Sequence, residues 1–293
     1  MRVLVTGSNG QLAKEIIRQI EEDGSPLGKA PEGFDKAQVV GVNKDALDIT
    51  DELALPGFIE KGGFDVIFNC AAMTNVDLCE TLREEAFRVN ADAPGYIARA
   101  AGACGAKLVH ISTDYVFSGD DPSPRRESDE TYPKTVYGSS KLLGERRVLE
   151  SGADAVIVRT AWLYGRSGKN FVKTMMSLAR ERGSVKVVDD QFGNPTNAAD
   201  LTHHLLALAV SGENGVFHCT NNGICSWYDF ALEIFRIAEI RTEAVPCTTA
   251  EFPRPAPRPA YSALDNARLR DTIGDGMREW KAAIYDYLTG DCR

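Results

Sequence analysis

The chain has 293 residues, 43% hydrophobic and 26% charged, with a formal net charge of −9 at pH 7. That is an ordinary globular composition, long enough for a sizeable core in one large domain or two interlocked ones. The acidic balance argues against non-specific nucleic-acid binding but leaves room for a local basic pocket around an anionic ligand.

No apolar run approaches the ~18 residues that a membrane span requires. "MRVLVTGSNG" runs into glycines too early for a signal peptide, so the expectation is a cytoplasmic protein with no membrane partner. The seven cysteines, Cys70, Cys79, Cys104, Cys219, Cys225, Cys247 and Cys292, are scattered without a Cys-x-x-Cys pair. They read as reduced, mostly buried thiols. The four histidines form no ligand pattern with them, so no metal is expected.

In chain order, 2–6 reads as a buried strand and 10–20 as a helix, with Leu12, Ile16, Ile17 and Ile20 on one stripe. Residues 21–36 are polar and rich in Gly and Pro, and read as a surface loop insertion. Strands follow at 37–42 and 64–72, helices at 84–90 and 93–105, a strand at 106–113, a helix from about Tyr137, and a strand at 154–165. Continuous apolar strands alternating with helices predict an α/β fold built on a doubly wound parallel sheet. Further on, 184–190 and 215–220 read as strands. Helices are expected at 198–212, at 226–238 with a serine cap, and at 277–288. The prolines of 252–260 require an extended connection.

"TGSNGQLA" (6–13) follows a strand and opens a helix. Gly7 and Gly10 permit a tight turn and close approach of a phosphate, and the helix N-terminus supplies free N–H groups, so this is a dinucleotide-binding turn. The second strand ends in Asn43 and Lys44, where an NAD-binding protein usually has an acid. Lys44 would suit a 2′-phosphate, while Asp45 keeps NAD use open. "HISTDYVFSG" (110–119) ends a strand in Ser112, Thr113 and Asp114, at the sheet edge where ligands bind. In "VYGSSKLLGE" (136–145), Tyr137 and Lys141 are four residues apart and share a helix face. An ammonium beside a phenol favours the phenolate, so Lys141 is expected to lower the Tyr137 pKa.

Together with the glycine turn, Thr113, Tyr137 and Lys141 resemble the triad of the extended short-chain dehydrogenase/reductases. The ordered segments "LDITD", "NCAAMTNVDLCE", "STDYVFSG", "RTAWLYG", "DDQFGNPT" and "PRPAYSALDN" narrow the resemblance to the dTDP-4-dehydrorhamnose reductase family over roughly residues 1–288. The resemblance implies a Rossmann-type domain of 1–163 plus 197–214. A smaller α/β substrate-binding domain would comprise 164–196 plus 215–293. It implies reduction of a C4 keto group of a dTDP-sugar with NADPH or NADH, in a monomer or homodimer that binds no nucleic acid. Thr113, Tyr137 and Lys141 would be catalytic. Gly7, Asn9, Gly10, Gln11 and Leu12 would cradle the pyrophosphate, and Asp48 and Ile49 would lie along the adenine. Ala71, Ala72 and Thr74 would line the nicotinamide half, and Asn90 would support the lysine. Val76, Asp114, Tyr115 and Trp162 would meet the sugar, and Asn170 and Arg258 the nucleotide or its diphosphate. Met73 departs from the tyrosine more usual before Thr74, and the 21–36 loop, longer than the family needs, would sit near the adenosine end. An epimerase or dehydratase of the same fold, or a regulatory subunit without activity, are the alternatives.

Overall fold

The computed structural model describes residues 1–290. The first half runs β1 (Arg2–Thr6), α1 (Gln11–Glu21), β2 (Gln38–Val42), α2 (Ala54–Gly62), β3 (Val66–Asn69), α3 (Val76–Thr81) and α4 (Arg83–Phe87). A π-helical turn, Arg88–Asp92, joins α4 to α5 (Ala93–Cys104), and β4 (Lys107–Thr113), α6 (Val136–Glu150) and β5 (Ala155–Thr160) follow. The second half contains β6 (Leu163–Tyr164), α7 (Phe171–Glu181), β7 (Ser184–Val188), β8 (Phe192–Gly193), β9 (Thr196–Asn197) and α8 (Ala198–Val210). It ends with β10 (Gly215–His218), β11 (Cys225–Ser226), α9 (Trp227–Ile237), β12 (Glu243–Cys247), α10 (Ala267–Thr272) and α11 (Trp280–Thr289).

Six strands form one parallel sheet in the order β10-β5-β4-β3-β1-β2. Alternation of side chains along each strand divides the core in two. Val3, Val5, Phe68, Val109 and Val158 face α1 and α8, and Leu4, Ile67, Leu108 and Ile157 face α2 and α5. The chain runs outward from β1 to β2 and then crosses back past β1 to β3, so that the connections leaving β1 and β3 pass to opposite faces of the sheet. The strand ends therefore part above β1 and β3, which opens a cleft at their carboxyl ends.

β10 belongs to this sheet. It pairs with β5 from Gly215↔Val156 to His218↔Arg159, whereas the sequence reading grouped 215–220 with the second unit. Its four residues are too few for a periodic pattern to separate a central-sheet strand from a peripheral one. The strand expected over 154–165 is broken at Ala161–Trp162, where Trp162 takes φ +48°. The short helices α2, α3, α7 and α10 and strand β12 were not identified from sequence. β12 contains Pro246 and pairs in parallel with β7. Around this second sheet, α7, α9 and α11 enclose an aromatic core with Tyr164, Phe230 and Trp280. Ser226 caps α9 in a capping box with Asp229. Cys104 is exposed, Cys70 is partly so, Cys79, Cys219, Cys225 and Cys247 are buried, and Cys292 lies outside the described residues.

The 21–36 segment is not only a surface loop, nor is it at the ligand end. Phe34 is fully buried against Phe68, with ring centroids 6.4 Å apart, and Gln38 N–H donates to Met1 C=O at 2.9 Å. These contacts fix the segment at the amino ends of the strands, opposite the cleft. A single aromatic in a polar stretch carries no periodicity, so its anchoring is invisible to pattern reading. Phe34→Ala is expected to cost about 3–5 kcal/mol in urea unfolding. Its distance from the cleft predicts an unchanged affinity for ligands bound there.

Candidate active site

The turn after β1 closes with Gly10 N–H donating to Gly7 C=O at 2.8 Å. Gly7 has φ +68°, and a Cβ there would stand 2.9 Å from the backbone of Ala71, so only glycine lets this turn lie against the end of β3. Gly10 caps α1 without a side-chain hydrogen bond, and the first turn carries no acidic residue. The leading N–H groups and the positive end of the helix dipole therefore face the cleft unneutralised.

The cleft has a volume of about 690 Å³. Its walls include Gly7, Asn9, Gly10, Gln11, Leu12, Asn43, Lys44, Asp48, Ile49, Ala71, Ala72, Thr74 and Val76. They continue through Thr113, Asp114, Tyr115, Tyr137, Lys141 and Trp162. At the far end, Asp48 accepts from the Thr50 N–H at 2.9 Å and its hydroxyl at 2.7 Å. These bonds, and then Lys44 and Arg88, hold its carboxyl below the usual range. Arg88 was missed by sequence reading. It opens the π-turn and reaches the cleft from an element that no local motif marks. Asn43 lines the wall while its side chain accepts from the Ala46 N–H at 3.0 Å.

At the other end, Thr135 caps α6 by accepting from the Gly138 N–H at 3.0 Å, placing Tyr137 in the first turn. A Cβ on Gly138 would be 2.1 Å from the Tyr115 carbonyl oxygen, so glycine there lets the segment after β4 press against α6. The Tyr115 and Tyr137 rings meet edge to face at 5.5 Å. Thr113 donates its hydroxyl proton to Asp114 Oδ1 at 2.8 Å, and its hydroxyl also meets the Tyr137 phenol. Burial pushes the Asp114 carboxyl up to about 6. It also raises the Tyr137 phenol above its ordinary value, against the lowering expected from Lys141. The reason is geometric: Lys141 Nζ donates to the Ile111 carbonyl at 2.6 Å. Burial lowers Lys141 itself to about 8. Burial likewise raises the Cys70 thiol beside it to about 12, which leaves a neutral wall.

Trp162 sits at the mouth in the left-handed region, stacked on Trp227 with centroids 3.5 Å apart and planes 4° from parallel. Its indole N–H donates to Ser262 Oγ at 3.1 Å.

Three expected contacts are absent from the cleft wall. Asn90 is fully buried. Its Oδ1 accepts from the Met73 N–H at 2.8 Å, and its Nδ2 donates to the Met73 C=O at 3.0 Å and to Ser140 Oγ at 3.1 Å. It lies off the cleft wall, where it braces the 70–75 loop and meets Ser140, the residue before Lys141. Asn170 caps α7 by accepting from the Lys173 N–H at 3.0 Å and donates to the Gly165 C=O at 2.8 Å. Arg258 is a bidentate partner of Asp77, at 2.9 and 2.8 Å, and also donates to the Ala256 C=O. Their polar atoms are committed within the protein.

The residues present fit a dinucleotide. Uncapped helix N–H groups and a glycine turn flank its middle, two cations lie at one end, and a phenol and an ammonium lie at the other. Among the described residues Gln11 Oε1 is buried with no protein partner. Comparison with known proteins agrees. Residues 1–291 match the family model described as RmlD substrate binding domain. A dTDP-4-dehydrorhamnose reductase from Mycobacterium tuberculosis strain H37Rv is 41% identical over 290 residues, 97% of this chain and 91% of that protein. The crystal structure of a dTDP-4-dehydrorhamnose reductase from Clostridium acetobutylicum is 46% identical, with a TM-score of 0.92 over 98% of both chains. A dTDP-4-dehydrorhamnose reductase from Bacillus anthracis, solved in complex with NADP, is 38% identical with a TM-score of 0.89 over 98% of both chains.

Raising a carboxyl from 3.8 to about 6 penalises its ionised form in the fold. The cost is absent below the unfolded value, grows as pH rises towards 6, and is complete above it. Asp114→Asn keeps the acceptor for Thr113 and removes the charge. It is expected to gain about 1–3 kcal/mol in urea unfolding at pH 8, after allowing for the new amide's unpaired N–H groups. Most of that gain should be gone at pH 4.

Proposed function

The chain belongs to the RmlD substrate binding domain family, and from that premise we propose that it is an NAD(P)H-dependent dTDP-4-dehydrorhamnose reductase. It reduces the C4 keto group of dTDP-4-dehydro-L-rhamnose to give dTDP-L-rhamnose for cell-surface polysaccharide. The observation that carries this reading is the meeting, in one cleft, of an uncapped helix N-terminus with Thr113, Tyr137 and Lys141.

When bound, NADPH or NADH supplies a hydride to the C4 carbonyl carbon. Every other requirement falls to the chain. Gly7, Asn9, Gly10, Gln11 and Leu12 hold the pyrophosphate, Asp48 and Ile49 line the adenosine, and Ala71, Ala72 and Thr74 line the nicotinamide half. Lys44 and Arg88 take the 2′-phosphate of NADPH. With the sugar in place, Thr113 turns its hydroxyl proton from Asp114 to the carbonyl oxygen, and Tyr137 gives its own proton to that oxygen as negative charge develops there. Burial keeps the phenol protonated until that moment. Lys141 then offsets the phenolate charge. Val76, Asp114, Tyr115 and Trp162 enclose the sugar. Asn90, Asn170 and Arg258 position these groups from behind.

In this reading 1–163 and 197–214, joined by β10, hold the cofactor, and the rest of the chain completes the sugar-nucleotide side. Among the described residues no helix is long and apolar enough to cross a membrane, and the reaction is assigned to the cytoplasm.

The test follows NADPH absorbance while the protein meets the 4-keto sugar made from dTDP-glucose by a dehydratase and an epimerase. Oxidation is expected only when the epimerase is present. Tyr137→Phe should lower kcat roughly 10²–10⁴-fold while NADPH binding persists. A folded protein that binds NADPH and oxidises none would sink the substrate assignment.

Lys44→Ala and Arg88→Ala should each weaken NADPH roughly tenfold, the worth of one charge-assisted contact. The KM for NADH should stay unchanged, as comparative initial rates would show.

A further inference from the structure

The face of α6 that carries Tyr137 and Lys141 has a third member. Glu145 lies one further turn along, at the same spacing of four, and is 2% exposed. Its Oε1 accepts from Ser112 Oγ at 2.5 Å and from Arg159 Nε at 2.9 Å, and its Oε2 accepts from the other arm of Arg159 at 2.7 Å. Ser112 directly precedes Thr113 on β4 and pairs in register with Arg159 on β5. The remaining guanidinium nitrogen of Arg159 lies 3.4 Å from His218 Nε2 on β10. We infer that Glu145 is a positioning residue for the proton-transfer step. It ties the strand that carries Thr113 to the helix that carries Tyr137 and Lys141, and sets a negative charge behind the Lys141 ammonium.

The surroundings leave that task to Glu145. Lys141 is faced by Cys70 from the end of β3, by His110 and the Ile111 carbonyl from β4, and by Glu145 from its own helix. Burial holds the Cys70 thiol and the His110 imidazole neutral. Arg159 faces Glu145 from β5, and burial keeps the His218 imidazole beyond it neutral. Burial drives Lys141 towards losing its proton, and Glu145 is the largest influence opposing it. A lysine that titrates near 8 is an ammonium below that pH and an amine above it. Tyr137 needs the ammonium, so activity falls on the alkaline side, and the Glu145 charge sets where the fall begins.

This inference rests on the proposed reductase activity for its purpose, but its first test does not. Lysine labelled at the ε-carbon is titrated by NMR in the protein without cofactor or sugar, with the Lys141 signal assigned by Lys141→Arg. Glu145→Gln keeps the shape and removes the charge. The Lys141 midpoint should fall by roughly one pH unit, and the alkaline limb of kcat/KM should move with it. At pH 8 the loss is then roughly fivefold and well above the loss at pH 6. Glu145→Gln alone strands the buried Arg159 charge. The double variant Glu145→Gln with Arg159→Gln, which leaves no unpaired charge, should shift the midpoint in the same direction by a smaller amount if the single variant fails to fold, because the Arg159 cation lost with it acts less on Lys141 than Glu145 does. Glu145→Asp should restore the midpoint in part.

An unmoved Lys141 midpoint in the double variant overturns the inference. So does a shifted midpoint with an unmoved alkaline limb, because the charge would then not serve turnover. If the reductase reading itself is wrong, turnover is absent from the unaltered protein while the Lys141 shift remains.

Discussion

β1 lies between β2 and β3, and the connections leaving β1 and β3 pass to opposite faces of the sheet. That single ordering separates the loops above β1 from those above β3 and creates the one place where a long ligand can lie across the strand ends. The turn of Gly7 and Gly10 fills one side of the gap, and the 70–75 loop the other. Their approach is close enough that a methyl group on Gly7 would meet the Ala71 backbone. The Thr6 hydroxyl sits at this contact. It donates to Asn69 Oδ1 at 2.7 Å and accepts from the Ala71 N–H at 3.2 Å. The backbone above the switch point is irregular, and buried side chains from the strands satisfy it.

The same logic explains residues whose roles differ from their expected ones. Asn90 belongs to a π-helical turn, which shifts its side chain relative to an α-helical register and lets it grip both polar groups of Met73. A loop held at both its N–H and its C=O cannot retreat from the cleft. Asn170 does a comparable job for the segment between β6 and α7. Arg258 and Asp77 bind the start of α3 to the proline-rich run across 181 residues of sequence. The cleft wall is thus made by one set of residues and held in place by another.

The sequence reveals the first set more readily than the second. β1, β3, β4 and β5 are buried on both faces, so they read as continuous apolar runs. The glycine turn and the Tyr137–Lys141 spacing are local, and local geometry survives in a string of letters. A supporting role does not. An asparagine that caps a helix looks like one that meets a ligand, as at Asn170. An arginine committed to a carboxylate 181 residues away looks like a free one, as at Arg258. Arg88 belongs to no local motif, and Glu145, though four residues from Lys141, shows its task only once Ser112 and Arg159 reach it from other strands. The short helices α2 and α3 were hidden for a related reason. Tertiary packing holds them more than intrinsic periodicity does.

Costly features collect where the chemistry is. Trp162 is a bulky residue in the left-handed region, a conformation that costs about 1–3 kcal/mol. Asp114 is a carboxyl whose ionised form burial disfavours. Neither would persist unless the surroundings overdetermined it. For Trp162 the surroundings are the aromatic core of the second half. Trp227 stacks on its face, Phe171 tilts against Trp227 at 4.4 Å, and Phe230 lies parallel to Phe171 at 5.6 Å. Burying these rings stabilises α7 and α9, and the same packing leaves the indole no other place. The second core therefore has a task beyond its own stability. It holds a strained aromatic wall at the mouth of a cleft whose floor the main sheet provides, so the cleft requires both halves of the chain to be folded together.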